Sequence, residues 1–330
     1  MEFPQLEAFD AKLAKSNMRG QWKSEVFLQN AIGGPKPAGQ AAVWKWRDVM
    51  ALMDEAGQLM TESLTARRSL IFANPGLPRG TTHTMNMGIQ MILPGETAWA
   101  HRHSISAMRF VIQGNRDLTT VVNGEVCPME DYDLILTPNW SWHDHHNRSN
   151  QPVYWADILD VPLVLGLNQP FYEEFGEKEQ APKAPGAAGP RLRFPWREVE
   201  LALRSQAAQR TNAPEGAIYE YINPHINPAA GNATMPTLLC RAQWLPSGFA
   251  TAMTQRTSSA MYFVVRGEGV TEVDGQELHW AQNDCFVVPN WARHRHINRS
   301  KSGEAILFST HDTPVMKALG LYREQPFERN

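Results

Sequence analysis

Short runs of apolar residues, each closed by glycine, proline or asparagine, recur from about residue 83 onward. In the first half of the chain these runs read MGIQMILPG, SAMRFVIQG, LTTVVNG, YDLILTP and VYWADILDVP. In the second half they read TLLCRAQWLPSG, SAMYFVVRGEG, DCFVVPNW and EAILFST. Strand-length runs separated by turn residues are typical of antiparallel sandwiches and barrels. The pattern therefore predicts a mainly β fold for most of the chain.

The N-terminal 70 residues follow a different pattern. Apolar residues between positions 43 and 53 recur with a period near 3.6, which predicts one amphipathic helix there. Residues 176–190 (GEKEQAPKAPGAAGP) combine proline, glycine, alanine and charge, as linkers do. These changes divide the chain into an N-terminal helical segment, 1–70, a first β-rich domain, 71–175, a linker, 176–190, and a second β-rich domain, 191–330.

The two β-rich domains repeat one another. The motif Ser-Ala-Met-x-Phe-Val at 106–111 returns at 259–264, which is 153 residues later. The motif Pro-Asn-Trp at 138–140 returns at 289–291, which is 151 residues later. Two nearly equal offsets on separate stretches indicate a tandem duplication. The sequence therefore predicts two copies of one antiparallel β architecture.

Three histidines in the first copy have the spacing of a metal site. His101 and His103 are two residues apart, so on one strand both side chains face the same side. His143 lies on a later predicted strand and can complete one face of a metal's coordination sphere. A solvated His-Arg-His pair and an ordinary loop around His143 are the alternatives. A third histidine in the same frame favours metal binding over both.

The second copy has lost this set of ligands. Thr254 and Arg256 occupy the positions that correspond to the His-x-His pair, and His294 remains at the third position. A cationic arginine at a ligand position is a poor partner for a divalent cation. The sequence therefore predicts a metal in the first copy alone and a structural role for the second, where His294 and His296 could hold only an adventitious ion.

Composition narrows the class of protein. Of the 330 residues, 42% are hydrophobic and 20% are charged, which is normal for a globular protein with a core. The net charge of −3, without a basic run interleaved with aromatics, argues against a nucleic-acid surface. No apolar run is long enough for a membrane span, and the N-terminus has no apolar signal segment. We therefore expect a cytoplasmic protein whose three cysteines are reduced.

The histidine motif, in order and in spacing, resembles the two-part cupin signature, and the finer match is to the gentisate 1,2-dioxygenase family. That family includes salicylate, 5-nitrosalicylate and 1-hydroxy-2-naphthoate 1,2-dioxygenases. The resemblance runs through residues 74–77, 88–96, 100–103, 106–110, 137–145, 155–160 and 318–323. It implies a bicupin fold, which consists of two tandem antiparallel β-barrels of the jelly-roll type after an N-terminal helical segment.

The same resemblance implies an activity and an assembly. It implies a homotetramer that binds Fe(II) through His101, His103 and His143 and takes an aromatic hydroxy acid and O2 as substrates. The ring would open between the carbons that bear the hydroxyl and the carboxylate. A glutamate that many cupins use as a further ligand is replaced here by Ala107, so we expect a neutral three-histidine site.

Four further side chains are candidates for catalysis. Arg109 lies in the inward phase of the strand that follows the His-x-His pair, where its guanidinium could pair with a substrate carboxylate. His145, two residues after the third ligand, is a candidate acid/base group. Gln90 could hydrogen-bond the carboxylate or bound oxygen, and Asp157 corresponds in the family to a residue that meets His145 and the far edge of the substrate. For Gln90 and Asp157, an ordinary hydrogen-bonded residue in a strand is an equal alternative on the residues alone.

Two segments depart from the family and bear on the substrate. His146 stands where members commonly have glycine, and residues 83–88 (HTMNMG) replace apolar or aromatic residues that are usual there. Both departures make a substituted salicylate, such as 5-nitrosalicylate, a candidate substrate beside gentisate. The competing interpretation is a cupin that is not a dioxygenase, either a manganese-type cupin enzyme or a small-molecule-binding bicupin.

Overall fold

The computed structural model describes residues 4–24, 31–60, 68–183, 190–209, 213–225, 233–301 and 303–327. The chain divides into two compact units, residues 1–37 and 38–330. In the first unit, helix α1 (Pro4–Lys15) is followed by a 3-10 turn at Gln21–Ser24, where Trp22 donates a hydrogen bond from Nε1 to Asp10. Within the described residues, no helix has the length and apolar character needed to cross a membrane.

The second unit is built mainly from strands. They are β1 (Ala42–Trp44), β2 (Arg68–Ile71), β3 (Asn86–Ile92), β4 (Thr97–His103), β5 (Ala107–Gln113), β6 (Asn115–Val122), β7 (Glu125–Met129), β8 (Leu134–Thr137), β9 (His143–Asn147), β10 (Val153–Leu159), β11 (Tyr172–Glu174), β12 (Arg193–Phe194), β13 (Ala217–Glu220), β14 (Leu239–Leu245), β15 (Met253–Arg256), β16 (Ala260–Arg266), β17 (Glu268–Val273), β18 (Gln276–Ala281), β19 (Cys285–Val288), β20 (His294–Asn298), β21 (Ala305–His311) and β22 (Glu324–Phe327). Its helices are α2 (Trp46–Leu59), α3 (Val161–Gly166), α4 (Trp196–Gln209) and α5 (Thr313–Ala318).

These strands form four antiparallel sheets, which confirms the predicted mainly β, duplicated fold. The first half contributes a six-stranded sheet, β12-β8-β5-β10-β3-β2, and a five-stranded sheet, β11-β4-β9-β6-β7. The second half contributes β1-β19-β16-β21-β14-β13 and β18-β17-β20-β15-β22. Each half is therefore a pair of facing sheets, and among the described strands the hydrogen bonding does not close either pair into a continuous barrel.

The two halves exchange strands. β1 precedes the first half but pairs with β19 of the second, and β12 precedes the second half but pairs with β8 of the first. Each exchanged strand leads into a helix of 14 residues, which begins at Trp46 or at Trp196. The N–H of Trp46 donates to Asp284 Oδ1 and that of Trp196 to Asp133 Oδ1, both at 2.8 Å. The duplication thus extends back to residue 42, beyond the motifs that revealed it.

The helix predicted at residues 43–53 begins later than its periodicity indicates. Residues 42–44 form β1 instead, and α2 runs from Trp46 to Leu59. The first turn of a helix has amide groups without partners inside the helix, and Asp284 accepts one of them from a position 238 residues away. A period of 3.6 cannot reveal this boundary, because the group that satisfies the helix terminus is remote in sequence.

Part of the predicted linker packs against the first half. Gln180 is buried and donates from Nε2 to Asp144 Oδ2 at 2.9 Å, and the N–H of Lys183 donates to Gly124 O at 2.8 Å. Residues 184–189 of the linker lie outside the described residues, as do residues 1–3, 25–30 and 61–67 of the helical segment. The division of the chain into four segments stays a prediction.

The sheets stack as layers with an apolar core between each pair. The two six-stranded sheets share the central core, where Phe110 of β5 stacks on Phe308 of β21 with ring centroids 4.0 Å apart. A second core, which includes Trp155, lies between the two sheets of the first half, and a third core lies in the second half. Full burial of a phenylalanine side chain such as that of Phe110 stabilises the folded state by roughly 1.5–3 kcal/mol. Each half therefore depends on the other for much of its burial.

Two buried carboxylates also join the halves. Thr84 donates from Oγ1 to Asp312 Oδ2 at 2.6 Å, and Thr237 donates from Oγ1 to Asp160 Oδ2 at 2.7 Å. The other oxygen of each carboxylate accepts a backbone N–H at 2.8 Å. Burial nevertheless raises the pKa of Asp312 to about 6, because desolvation opposes the charged form more than these bonds favour it.

This raised pKa predicts a pH-dependent stability. The native carboxyl of Asp312 holds its proton more tightly than the unfolded one, whose pKa is about 3.9. The free energy of unfolding should therefore fall as the pH rises from about 4 to about 6, by roughly 3 kcal/mol from this group. Urea unfolding of the wild type and of Asp312→Asn between pH 4 and 7 measures it, since the variant should lack this fall. Parallel curves for the two proteins would contradict the assignment.

Candidate metal centre and adjoining cavity

The three predicted metal ligands come together on two neighbouring strands. His101 and His103 lie on β4, and His143 lies on β9, with His101 directly opposite His143 in the register of the pair. All three are buried, and one ring nitrogen of each lies within 4.8 Å of those of the other two. Residues i and i+2 of a strand share a face, so both members of the pair point into the space between the sheets.

Backbone carbonyls set the tautomer of each ring. Nδ1 of His101 lies 2.6 Å from Trp99 O, Nδ1 of His103 lies 2.7 Å from Ile105 O, and Nδ1 of His143 lies 2.9 Å from Ser141 O. A carbonyl oxygen can only accept, so each Nδ1 must carry the proton and donate it. The lone pair of each ring therefore resides on Nε2, which is the form in which imidazole binds a metal.

His143 shows most clearly that this set fits a cation. Its Nε2 is buried and has no hydrogen-bond partner among the described residues. Burial, reinforced by Arg109 and the neighbouring histidines, holds the pKa of His143 well below its usual value, so the ring is neutral. A neutral, buried and unpartnered nitrogen beside two further imidazoles is a donor set for a transition metal. Among the described residues this is the single group of three or more such side chains close enough to share an ion.

Arg109 and Asp157 lie side by side on neighbouring strands of the six-stranded sheet of the first half. The two residues are register partners on β5 and β10, and Arg109 Nε lies 3.3 Å from Asp157 Oδ1. Arg109 also donates from Nη1 to Thr137 Oγ1. Arg109 is buried and Asp157 is mostly buried, and the ion pair holds the guanidinium in one orientation.

A cavity of about 390 Å³ adjoins His103. Gln90, His103 and Asp157 are in its wall, so three of the residues singled out in the sequence meet there. The remaining wall is mainly apolar, and its other residues are Ser69, Ile71, Asn86, Ile105, Leu159, Val161, Pro170, Phe171 and Tyr172. Pockets of this size and character are typical small-molecule sites.

Sequence reasoning missed several of these residues. Asn86 could have been found, because it shares the phase of Gln90 on β3 and lies in the segment that departs from the family. Phe171 and Tyr172 gave no such signal. They reach the cavity because β11 pairs with β4, so that Tyr172 lies opposite His103, and no motif marks that short strand.

His145 is held apart from the three ligands. It is buried on β9, its Nδ1 lies 2.7 Å from Thr120 Oγ1, and its ring packs against Trp155 with centroids 5.4 Å apart. Its ring centroid is 5.9 Å from that of His143, the third predicted ligand. The predicted meeting of His145 with Asp157 stays a prediction.

The second half keeps the frame of this site and changes its contents. His294 donates from Nδ1 to Ala292 O at 3.0 Å, as His143 does to its own carbonyl, and Thr254 lies opposite it in the register. Arg256 occupies the position that corresponds to His103, and Glu215 and Glu324 bind its guanidinium there. Burial lowers the pKa of His294 to about 4. The cavity there has a volume of only about 20 Å³, enough for about one water molecule.

Comparison with known proteins gives consistent matches over the whole chain. The family model described as a cupin domain matches residues 88–161 and 243–311. The chain is 40% identical to a 1-hydroxy-2-naphthoate 1,2-dioxygenase from Nocardioides sp. (strain KP7), over 97% of this chain and 88% of that protein. It is 37% identical to a 5-aminosalicylate 1,2-dioxygenase from Comamonas sp., over 98% and 90%. A gentisate 1,2-dioxygenase from Haloferax sp. is 35% identical, over 94% of each.

Solved structures agree with these matches. The salicylate 1,2-dioxygenase from Pseudaminobacter salicylatoxidans superposes with a TM-score of 0.88 and 29% sequence identity, over 99% of both chains. A structure of that enzyme as an adduct with gentisate gives a TM-score of 0.88, over 100% of this chain and 96% of the other. The likeness therefore includes both halves and the order in which they are joined.

A matched pair of substitutions tests where the metal binds. His143→Ala removes the buried unpartnered nitrogen, and we expect metal content to fall from about one ion per chain to nearly none. His294→Ala, at the equivalent position of the second half, should leave metal content unchanged because Arg256 prevents a site there. Elemental analysis of both variants after dialysis measures this. Loss of metal from the His294 variant would contradict a site confined to the first half.

Proposed function

The chain belongs to the gentisate 1,2-dioxygenase family of ring-cleaving cupin oxidoreductases, and we propose that it is an Fe(II)-dependent dioxygenase of aromatic hydroxy acids. It opens the ring of gentisate or a substituted salicylate between the hydroxyl- and carboxyl-bearing carbons. The observation that supports this most directly is the set of three convergent, neutral imidazoles beside a largely apolar cavity. A tetrameric assembly, which the family resemblance implies, stays a prediction.

The three histidine nitrogens suit a ferrous ion that binds an anionic substrate. Three neutral nitrogens leave the double positive charge of the metal uncompensated, which suits a chelating anion such as a hydroxybenzoate. His101, His103 and His143 would hold the ion, and Ala107 contributes no carboxylate to compete with the substrate. A bound ferrous ion would supply the coordination positions that hold the substrate and O2 together and would pass electrons from the aromatic ring to O2.

Arg109 orients the substrate carboxylate in this proposal. Its guanidinium is held by Asp157 and Thr137, so little conformational freedom is lost when a carboxylate binds. The partial neutralisation by Asp157 also keeps the buried charge tolerable before substrate enters. Gln90, in the cavity wall, offers an amide that can donate a further hydrogen bond to the same carboxylate.

His145 is proposed to take the proton of the substrate hydroxyl. The hydroxyl of Thr120 is also within 3.0 Å of the sulfur of Met129, to which it can donate. Thr120 Oγ1 then accepts from Nδ1 of His145, and the lone pair of the ring resides on Nε2. A base in this form can accept a phenolic proton near neutral pH. The indole of Trp155 keeps the ring in place.

The apolar walls of the cavity bind the faces of the ring. Ile71, Leu159, Val161 and Phe171 present hydrocarbon surface there, and an aromatic ring that leaves water for such a surface is stabilised by roughly 25 cal/mol per Å² buried. The wall also carries polar side chains, among them Gln90, His103 and Asp157, so it offers partners for the two oxygens of a hydroxy acid beside surface for its apolar ring.

An oxygen-uptake assay with a panel of substrates tests the function. The protein loaded with Fe(II) should consume O2 with at least one of gentisate, salicylate, 5-aminosalicylate, 5-nitrosalicylate and 1-hydroxy-2-naphthoate, and an absorbance from the opened ring should appear in step. Removal of the metal with a chelator should abolish uptake, and Fe(II), not Mn(II), should restore it. No uptake with any of the five compounds would overturn the proposal.

Arg109→Lys tests the role of the guanidinium. Lysine keeps the charge beside Asp157 but loses the planar pair of donors, so we expect kcat/KM to fall about ten- to hundredfold, mainly through a higher KM. Steady-state kinetics with the best substrate measure this, and iron content together with thermal unfolding serve as controls. An unchanged KM in a folded, iron-loaded variant would show that the carboxylate binds elsewhere.

A further inference from the structure

An arginine lies between two of the metal ligands in sequence but faces away from them. Arg102 stands between His101 and His103 on β4, and alternation along a strand sends its side chain to the outer face of the five-stranded sheet. Its guanidinium carbon lies 4.4 Å from the ring centroid of Trp140 and 4.4 Å from that of Trp142. At these distances the faces of both indoles attract the cation. The proposed reaction gives this cluster no role.

The same guanidinium binds a residue of the strand that forms part of the cavity wall. Nε and Nη2 of Arg102 donate to Oε2 of Glu173 at 2.9 and 2.6 Å, and Glu173 is the middle residue of β11. The two residues are also register partners in the sheet. A partly exposed ion pair contributes little by itself, but here the two indoles hold the cation as well. We call Arg102, Glu173, Trp140 and Trp142 the arginine clamp.

Two aromatic residues on either side of Glu173 extend these contacts. Phe171 packs edge-on against Trp140 with ring centroids 6.2 Å apart, and Phe175 packs edge-on against Trp142 with centroids 4.9 Å apart. Alternate residues of an extended chain share a face, so the phenylalanines and the glutamate all lie on the side of the clamp. The clamp therefore holds the segment 171–175 along its whole length.

β11 carries the part of the cavity wall that is most open to solvent. Phe171 and Tyr172 line the cavity and are 60% and 56% exposed, so they stand at its mouth. The ring of Tyr172 also stacks on that of His101, with centroids 5.6 Å apart. β11 is a three-residue strand at the edge of its sheet, and all its residues are exposed. Such segments open at a low cost in free energy unless other contacts hold them, and the clamp supplies those contacts.

The second half shows that an edge strand forms here without a clamp. β22 pairs with β15 as β11 pairs with β4. Gln325 lies opposite Gln255 in that pair, at the positions of Glu173 and Arg102, and neither glutamine carries a charge. Gln255 donates instead from Nε2 to the backbone carbonyl of Trp291 at 2.6 Å. The charged clamp thus occurs in the half that has the three histidines and the cavity of about 390 Å³.

We propose that Arg102 is a positioning residue that keeps β11 paired with β4 at the mouth of the cavity, and that release of the clamp opens the mouth for an aromatic acid to enter or leave. The inference rests on the proposed function, since it concerns access to the same cavity. Arg102 is not in the cavity wall, so it acts through β11. A bound ring contacts Phe171 and Tyr172 only while β11 is paired, so the paired fraction of molecules sets the apparent affinity.

Hydrogen exchange reports directly whether β11 is paired. The N–H of Phe175 donates to Ala100 O at 3.1 Å, and amides of this segment lose such protection when the strand leaves. Arg102→Gln copies the residue of the second half, and exchange at residues 171–175 should become about ten- to hundredfold faster than in the wild type. Exchange in β5, β9 and β10 should not change. Mass spectrometry of the Fe(II)-loaded proteins measures both.

Arg116→Gln is the matched control. It removes another arginine of the first half that forms an ion pair, with Glu130, and that lies outside the cavity wall. Residues 171–175 should stay as protected in this variant as in the wild type. Faster exchange throughout the first half of Arg102→Gln would indicate a general loss of structure and would contradict the proposal.

Binding and turnover measure the consequence for the cavity. Gentisate, salicylate, 5-aminosalicylate, 5-nitrosalicylate and 1-hydroxy-2-naphthoate are titrated into the Fe(II)-loaded protein without O2. For each compound that binds, the dissociation constant should rise about three- to tenfold in Arg102→Gln, because the paired fraction falls. KM should rise by a similar factor, whereas kcat should not fall, because the three histidines and Arg109 are unchanged. A fall in iron content and kcat at an unchanged KM would show a merely structural role and overturn the proposal.

A double-variant cycle assigns the effect to the pairing of Arg102 with Glu173. Glu173→Gln copies Gln325 and should change exchange and KM in the same direction by a smaller factor, because the indoles still hold the arginine. The double variant should behave as Arg102→Gln alone if the two side chains act through one another. Independent effects of the two substitutions, or unchanged exchange at residues 171–175, would contradict the proposal. If Arg102→Gln fails to fold or to hold iron, Glu173→Gln decides by the same measurements.

The outcome is distinguishable from that of the proposed function. If none of the five compounds supports O2 uptake, the proposed activity is wrong, while hydrogen exchange in Arg102→Gln still decides whether the clamp holds β11. If O2 uptake occurs and both exchange and KM of Arg102→Gln equal those of the wild type, the activity stands and the positioning role alone is wrong.

Discussion

Three backbone carbonyls determine what the first half of this protein can bind. By accepting the Nδ1 protons of His101, His103 and His143, they direct three lone pairs into one buried space. The carbonyls lie two residues from the rings they hold, so the geometry of strands β4 and β9 sets both the ring and its tautomer. That geometry depends in turn on the apolar core between the two sheets of the first half, which includes residues of β4 and β6, the two neighbours of β9. Packing far from the metal therefore supports its ligands.

The second half shows that a correctly oriented imidazole is not sufficient. His294 makes the same bond to a carbonyl as His143, but Arg256 stands where the first half has His103. The guanidinium brings a fixed positive charge into the space that a cation would need, and Glu215 and Glu324 compensate it. Ion pairs within the protein thus stand where the first half could hold a cation. The exchanged strands and the shared core make the second half necessary for the folding of the first.

Much of this arrangement could be predicted from the sequence, and the remainder has physical reasons for being hidden. The histidines were predictable because a period of two places residues i and i+2 on one face, and the repeated frame located the third. The exchange of β1 and β12 was not, since Ala42 and its partner Val287 are 245 residues apart and Phe194 and its partner Leu134 are 60 apart, and such separations leave no local pattern. The start of α2 depends on the equally remote Asp284. Tyr172 reaches the cavity through the pairing of a three-residue strand, which is too short to carry a period.

Comparison of the two halves also indicates which side chains near the cavity the fold alone can explain. Gln90 corresponds to Gln243, which lies in a half without the three ligands and donates to the backbone of Glu215, so a glutamine there is compatible with a role in the fold alone. Arg109 and Asp157 correspond instead to Tyr262 and Ser309, which are register partners in the same way but carry no charge. A buried ion pair contributes little net stability compared with a neutral pair. We therefore propose that this charged pair is present beside the three histidines because of what binds there, which favours a functional role for Arg109 and Asp157 over one for Gln90.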